Sequence, residues 1–128
     1  MQFTTVFFAA LAATLAQACD HCPHPGNFPG NVYGYLTTTP NSCDVTVGPD
    51  DIVASLPASF WVPRDESPCD EPISVTLTSS GKTVTAIVIN SDPNLSNDDI
   101  GLNTAGLAAL AADSDPNHGS GPAIWTFL

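Results

Sequence analysis

The sequence predicts a mainly β domain with one short helix, folded as a small barrel or sandwich. Short runs of β-branched and apolar residues recur between clusters of Gly, Pro, Ser and Asn, which is typical of such folds. Only one segment, near the C-terminus, has the Leu and Ala spacing of an amphipathic helix. Charged residues make up 12% of the chain, as expected for a loop-rich β domain rather than a helical one.

Four segments have the character of β-strands. Residues 73–78 alternate Ile, Val and Leu with Ser and Thr, so one face is predicted to be buried. Residues 83–90 end in a continuous apolar run, which indicates burial on both faces. Residues 31–39 and 123–127 are rich in aromatic and β-branched side chains. The chain also contains two short apolar runs, residues 51–56 and 58–62.

The helix is predicted to begin at Asn103 or Thr104, since either side chain can cap it, and to end at about Ala112. Its apolar stripe would consist of three leucines, Leu102, Leu107 and Leu110. Residues 91–99 and 113–122, on either side of it, are rich in turn-forming residues and are predicted to be loops.

Residues 1–18 have the features of a secretory signal peptide. The segment carries no charged side chain, is dominated by Phe, Val, Leu and Ala, and ends in the small-x-small sequence Ala16-Gln17-Ala18. It is too short to span a membrane and remain there. We therefore expect cleavage after Ala18 and export of a protein without a membrane anchor. The remaining 110 residues (128 minus 18) fit one domain.

All four cysteines follow this leader, and an even number in an exported chain indicates disulfides. A Cys43–Cys69 bridge is favoured among the possible pairings because it joins distant segments. Cys19 and Cys22 would then pair with each other or remain as a reactive tail. That tail, residues 19–30, is rich in Pro and Gly and is predicted to lack regular structure. Its Cys and His residues are too closely spaced for a zinc site, so neither a metal nor a cofactor is expected.

The net charge of −11 restricts the possible partners, because only Arg64 and Lys82 are basic. Nucleic acids and anionic membranes both require a basic surface, so we expect neither as a partner. Three acidic pairs lack the spacing of a calcium loop and are expected to be solvated turn residues: Asp50/Asp51, Asp98/Asp99 and Asp113/Asp115. Asn94-Leu95-Ser96 is an N-glycosylation sequon on a predicted surface loop.

Three sequences in the second half of the chain carry a family resemblance: GKTVTAIVINSDP, DDIGLNTAGLAALA and AIWTFL. Their order resembles the double-psi β-barrel domain of the rare lipoprotein A-like, expansin-like and barwin-like proteins. Upstream, Tyr33 and Tyr35 match an early Tyr-rich strand of that family, and DIVASL resembles its Asp-Val-Val-Ala-Leu segment. Cys43 follows that strand as in the family, which implies that Cys69 is its partner.

The resemblance implies a six-stranded double-psi β-barrel over residues 31–128. Small secreted members of this length look most like fungal proteins. The implied protein is extracellular and is expected to be a monomer. Its partner would be a cell-wall polysaccharide such as cellulose, chitin or a related glucan.

Two motifs depart from the family pattern, and the second of them holds the acid that the family's enzymes use. The family's Asp-Arg-Cys-Pro is replaced by Asn90-Ser91-Asp92-Pro93, and its Ile-Asp-Leu-Ser by Ile100-Gly101-Leu102-Asn103. The missing Asp is the acid of the lytic and hydrolytic relatives, and Gly101 has no side chain. Glycoside hydrolysis normally needs two carboxylates, so we predict no catalytic residue and no enzyme activity. The alternative is that Asp98 or Asp99 substitutes after a small loop shift.

The sequence therefore predicts a secreted, non-hydrolytic expansin-like protein that binds, or also loosens, cell-wall polysaccharide. Its binding residues would be Tyr33, Tyr35, Asp51, Trp61 and Asn90, through ring stacking and hydrogen bonds. The other tryptophan, on the last predicted strand, is expected to pack in the core. The alternative is a protein-binding module, either a protease inhibitor or a secreted effector that acts on a host, with contacts through residues 64–71.

Overall fold

A computed structural model describes residues 24–37, 40–61 and 67–128. The leader, Cys19 and Cys22 lie outside the described residues. Six strands are present, and we number them in chain order: β1 (Phe28–Gly34), β2 (Val53–Pro57), β3 (Pro72–Leu77), β4 (Thr83–Asp92), β5 (Ile100–Leu102) and β6 (Gly121–Phe127). The helix α1 spans Thr104–Leu110, and 3-10 helices span Ala58–Trp61 and Pro116–His118. No helix in the described ranges is long and apolar enough to cross a membrane.

The six strands form one closed barrel in the order β1-β5-β2-β4-β3-β6. Two neighbouring pairs, β1/β5 and β2/β4, are parallel, and the other four are antiparallel. Closure leaves no sheet edge unpaired, which removes a common route to aggregation. The predicted mainly β barrel with one helix is confirmed.

The strands predicted at residues 73–78, 83–90 and 123–127 are present as β3, β4 and β6. The first strand differs, because β1 begins at Phe28, inside the segment predicted to be an irregular tail. Phe28 pairs with Trp125 across the β1/β6 ladder, and the two rings stack with centroids 4.6 Å apart. This aromatic contact draws the end of the tail into the barrel, which its Pro and Gly content did not indicate.

The strand β5 was not predicted, and Leu102 lies in it rather than on the stripe of α1. The helix begins at Thr104, and the side chain of its predicted cap, Asn103, accepts a hydrogen bond from the Gly106 N–H. The Asn103 side chain also accepts from the Val53 N–H and donates to the Asp51 carbonyl oxygen. One buried amide therefore joins the end of β5, the start of β2 and the start of α1.

An aromatic cluster closes one end of the core. Trp125 is 1% exposed, and its ring contacts those of Phe28, Phe60 and Phe127 at centroid distances of 4.6, 5.2 and 5.5 Å. The Trp125 Nε1–H donates to the Asp98 carbonyl oxygen at 2.7 Å. The structure confirms the core position predicted for this tryptophan.

The predicted Cys43–Cys69 disulfide is present. It lies beside β4, because the Cys43 N–H donates to Ile89 and the Asp70 N–H donates to Val88. The bridge closes a segment with a sequence separation of 26. A loop of this length restricts the unfolded chain enough to contribute about 3 kcal/mol.

We expect the double variant Cys43→Ser/Cys69→Ser to unfold at lower urea, with a free energy of unfolding reduced by about 3 kcal/mol. Reductant should lower the urea midpoint of the wild type towards that of the variant and leave the variant unchanged. A wild-type midpoint that does not move in reductant would show that the bridge does not stabilise the barrel.

Candidate functional site

Four residues from four neighbouring strands form a row on the outward face of the barrel, and its two middle members, Gly101 and Ser55, are buried. Tyr33 of β1 is paired with Gly101 of β5, Gly101 with Ser55 of β2, and Ser55 with Asn90 of β4. We call these four residues the cross-strand row. Three strand spacings separate its ends, which is about 15 Å along the surface. That length suits an extended ligand rather than a single small molecule.

A register shift brings Asn90 into the row. Between Ala54 and Ser55 the β2/β4 pairing moves by one residue, so that Asn90 rather than Ile89 is opposite Ser55. The Asn90 Nδ2–H donates to the Ser55 hydroxyl at 3.1 Å. Its Oδ1 accepts from the backbone N–H and the hydroxyl of Ser42, at 3.1 and 3.0 Å. The amide is therefore held in one orientation by groups on two sides.

Tyr35 covers Gly101 from outside. A Cβ atom at Gly101 would lie 2.9 Å from the Tyr35 Cβ and 3.5 Å from the Ser55 Cβ, so a side chain has no room there. The Tyr35 N–H donates to the Leu102 carbonyl oxygen at 2.8 Å, which continues the β1/β5 pairing and fixes this position. The glycine and the tyrosine are thus packed against each other.

The hydroxyl of Tyr35 is buried and finds no hydrogen-bond partner among the described residues. Burial, and secondarily the negative charge of Asp92, raises the pKa of this phenol. The group stays neutral and keeps its proton, so it is a hydrogen-bond donor without a described acceptor. An unpartnered buried hydroxyl destabilises the free protein and gains when a ligand supplies an acceptor.

Tyr33 offers an aromatic surface at the β1 end of the row. Its side chain is 49% exposed, whereas the neighbouring Val32 is 1% exposed and points into the core. Alternation along the strand therefore directs the Tyr33 ring outwards. A flat exposed ring of this kind can pack against the apolar face of a sugar.

The four residues of the cross-strand row include no carboxylate, and of the two aspartates before β5 only Asp99 has its carboxylate held by a described hydrogen bond. Asp99 Oδ1 accepts a hydrogen bond from the Asn31 N–H at 2.9 Å. Asp98 provides the carbonyl oxygen that accepts from Trp125. Both residues precede β5 in the chain. The hydrogen bond from Asn31 on β1 holds the Asp99 carboxylate there.

Of the five binding residues predicted from the sequence, the structure brings Tyr33, Tyr35 and Asn90 together. Asp51 lies apart from them in the loop before β2, where its Oδ2 accepts from the Gly48 N–H at 2.7 Å. Trp61 ends a 3-10 helix and packs half-buried against the core. Sequence analysis missed Ser42 and Ser55, because serines in a loop and a strand carry no signal until the pairing is known.

A second acidic feature lies in the connection between α1 and β6. One ligand atom from each of Asp113, Asp115 and His118 lies within 4.8 Å of the others, as in a metal site. The His118 Nδ1 is 2.7 Å from Asp113 Oδ2. Bonds from the Asp115 N–H and then from His118 lower the pKa of Asp113, and the Asp113 bond raises the pKa of His118. This mutual pairing is enough to explain the cluster.

The sequon residue Asn94 is exposed in the turn between β4 and β5, where glycosylation would meet no steric obstacle. Its backbone N–H donates to Asp92 Oδ1 at 2.8 Å, which shapes the turn. Glycosylation at this position stays a prediction.

No protein-family model and no curated protein sequence matches this chain. Solved structures do match. An expansin from Clavibacter michiganensis superposes with a TM-score of 0.65 at 18% identity, over 80% of this chain and 50% of that one. A variant of that expansin in complex with cellohexaose gives 0.62 at 18% identity, with the same coverage. The Streptomyces papain inhibitor gives 0.67 at 20% identity, over 84% of this chain and 98% of that one.

The chain folds as a six-stranded double-psi β-barrel. This confirms the fold implied by the resemblance. The barrel spans half the length of the expansin and nearly the whole of the papain inhibitor. Identities of 18–20% establish the fold alone, and function must be argued from the site.

Proposed function

We propose that this double-psi barrel is a secreted, non-hydrolytic protein that binds cell-wall polysaccharide along the cross-strand row. The ligand would be an extended β-linked glycan such as cellulose, chitin or a related glucan. Tyr33 would stack against one sugar ring, while Tyr35 and Asn90 would bond to hydroxyl groups. Export through the predicted leader would place the protein where such polymers occur.

The observation that carries this proposal is the chemistry of the row around Gly101. An exposed ring, an unpartnered buried phenol and a fixed amide lie together, and the nearby carboxylate of Asp92 is a single acid that accepts from the Asn94 N–H. Sugars need apolar faces and hydrogen-bond partners for binding, whereas hydrolysis needs two carboxylates across the scissile bond. The row supplies an apolar face and hydrogen-bond partners but not the two carboxylates. The matching expansin variant with bound cellohexaose adds support at the level of the fold.

The Tyr33→Ala variant tests the stacking contact. We expect its dissociation constant for an insoluble glucan to rise about tenfold, because one aromatic contact of roughly 1.4 kcal/mol is lost. The matched control is Ile124→Ala, since Ile124 is 51% exposed and lies on β6, outside the row. Equal losses in the two variants would contradict a specific role for Tyr33.

Tyr35→Phe separates binding from folding. Removal of a hydroxyl that has no described partner should leave the free energy of unfolding unchanged or slightly higher. Glucan binding should nevertheless weaken, because the ligand loses its donor. A variant that binds as well as the wild type would remove Tyr35 from the proposed site.

A protein-binding function is the second candidate, and one observation favours it. The barrel covers 98% of the Streptomyces papain inhibitor, so it lacks no domain that this inhibitor has. Titration of the mature protein against papain and a panel of cysteine and serine proteases tests this candidate. Stoichiometric inhibition would support it, and full protease activity at excess protein would count against it.

A further inference from the structure

The loop before β2 forms a second concave surface with the outer face of β4. This cavity has a volume of about 460 Å³, and its floor is aliphatic: Val45, Ile52, Ile87 and Ile89. Ile87 is 36% exposed, so part of this aliphatic floor is accessible to a ligand. We call this surface the β4 pocket. The cross-strand row leaves this pocket unused.

Two acidic residues line the β4 pocket, and three more belong to segments bonded to β4. Asp50 and Asp51 line it directly. Asp70 and Glu71 lie at its β3 side, because the Asp70 N–H donates to the Val88 carbonyl oxygen and the Val88 N–H donates to that of Glu71. Asp44 follows Cys43, whose N–H donates to Ile89.

No described basic side chain balances these carboxylates. Lys82 lies elsewhere, where its Nζ–H donates to the Ala111 carbonyl oxygen at the end of α1. Arg64 lies outside the described residues. Lys82 and Arg64 are the only Lys and Arg in the sequence, whose net charge is −11. The charges of the described residues therefore make the field around the aliphatic floor negative, and such a field favours a cationic ligand.

We propose that the β4 pocket binds a basic peptide segment of a partner protein, with an aliphatic or aromatic side chain on the isoleucines and flanking Lys or Arg near the carboxylates. This proposal rests on the protein-binding function given above as the second candidate, and it specifies the surface and the partner for that function. A cationic polysaccharide fits less well, because its hydroxyl groups would lose water against an aliphatic floor.

Recognition in the β4 pocket must use side chains rather than strand addition. At Ile87 the strand β4 is paired on one side with Val53 of β2 and on the other with Pro72 of β3. No backbone edge is free there for an added strand. The contact would therefore combine apolar burial in the pocket with charge attraction at its rim, and salt should weaken it only in part.

Fluorescence anisotropy with a labelled peptide of alternating Lys and Leu tests the pocket, with a Lys–Ser and a Glu–Leu peptide of equal length beside it. We expect the Lys–Leu peptide to bind at least tenfold more tightly than either. Ile87→Ser should weaken its binding about tenfold, and Asp50→Asn should weaken it while reducing the salt dependence. Ile124→Ser is the matched control, because it places the same change on an exposed isoleucine of β6.

Equal binding of the Lys–Ser and Lys–Leu peptides, or equal losses in the Ile87 and Ile124 variants, would overturn the proposal in favour of unspecific charge attraction. Tighter binding of chitosan oligomers that depends on Ile87 would overturn it in favour of an amino sugar. The glucan proposal fails separately, because Tyr33→Ala should leave peptide binding unchanged and Ile87→Ser should leave glucan binding unchanged.

Discussion

Gly101→Asp, which introduces the acid that the family resemblance implies at this position, is expected to destabilise the barrel and to produce no hydrolysis. The new Cβ atom would lie 2.9 Å from the Tyr35 Cβ, which cannot move without its backbone. Over-packing of this kind costs about 1–3 kcal/mol, and a carboxylate without a partner at this buried position adds to that. Hydrolysis needs two carboxylates across the scissile bond, and Asp92, the carboxylate near Tyr35, is held in the turn by the Asn94 N–H.

A double-mutant cycle separates the clash from the charge. Gly101→Ala introduces the Cβ atom alone and should lower the free energy of unfolding by about 1–3 kcal/mol. The same change in a Tyr35→Gly background should cost much less, because the opposing Cβ is gone. An equal cost in both backgrounds, or reducing sugar released by Gly101→Asp, would contradict the packing described for this position.

Trp125→Ala is expected to have the largest effect on stability, a loss of about 3–5 kcal/mol in the free energy of unfolding. The change removes the ring that Phe28, Phe60 and Phe127 contact, and it leaves the Asp98 carbonyl oxygen without its donor. Urea unfolding followed by circular dichroism measures the loss without relying on tryptophan fluorescence.

Trp61→Ala provides the comparison for this core position. Trp61 is only partly buried and packs at the edge of the core, so its loss should cost clearly less than that of Trp125. Similar losses for the two variants would mean that the aromatic cluster around Trp125 does not dominate the core.

The strands β3, β4 and β6 could be predicted from the sequence because each has a local signal: alternation in β3, a continuous apolar run in β4, and aromatic and β-branched residues in β6. The strand β5 could not, since three residues contain too little periodicity. It forms only by pairing with the strands beside it: Ile100 pairs with Val32 of β1, and Leu102 pairs with Ala54 of β2. Because β5 has no local signal, Leu102 was wrongly predicted to belong to the apolar stripe of α1.

The site was predictable only in part, for a similar reason. The resemblance singled out Tyr33, Tyr35 and Asn90, but only the strand pairing brings them onto one surface. Ser55 joins them through a one-residue register shift that no sequence pattern indicates. The packing of Tyr35 on Gly101 is likewise a contact between residues far apart in the chain.

A pull-down of the purified mature protein on insoluble cellulose, chitin and other wall glucans, with reducing sugar assayed in the same tubes, tests the central claim most directly. We expect binding to at least one polymer and no release of sugar above that of a tube without protein. Sugar release would contradict the absence of a catalytic acid and would direct attention to Asp98 and Asp99. No binding to any polymer would contradict the glycan proposal itself.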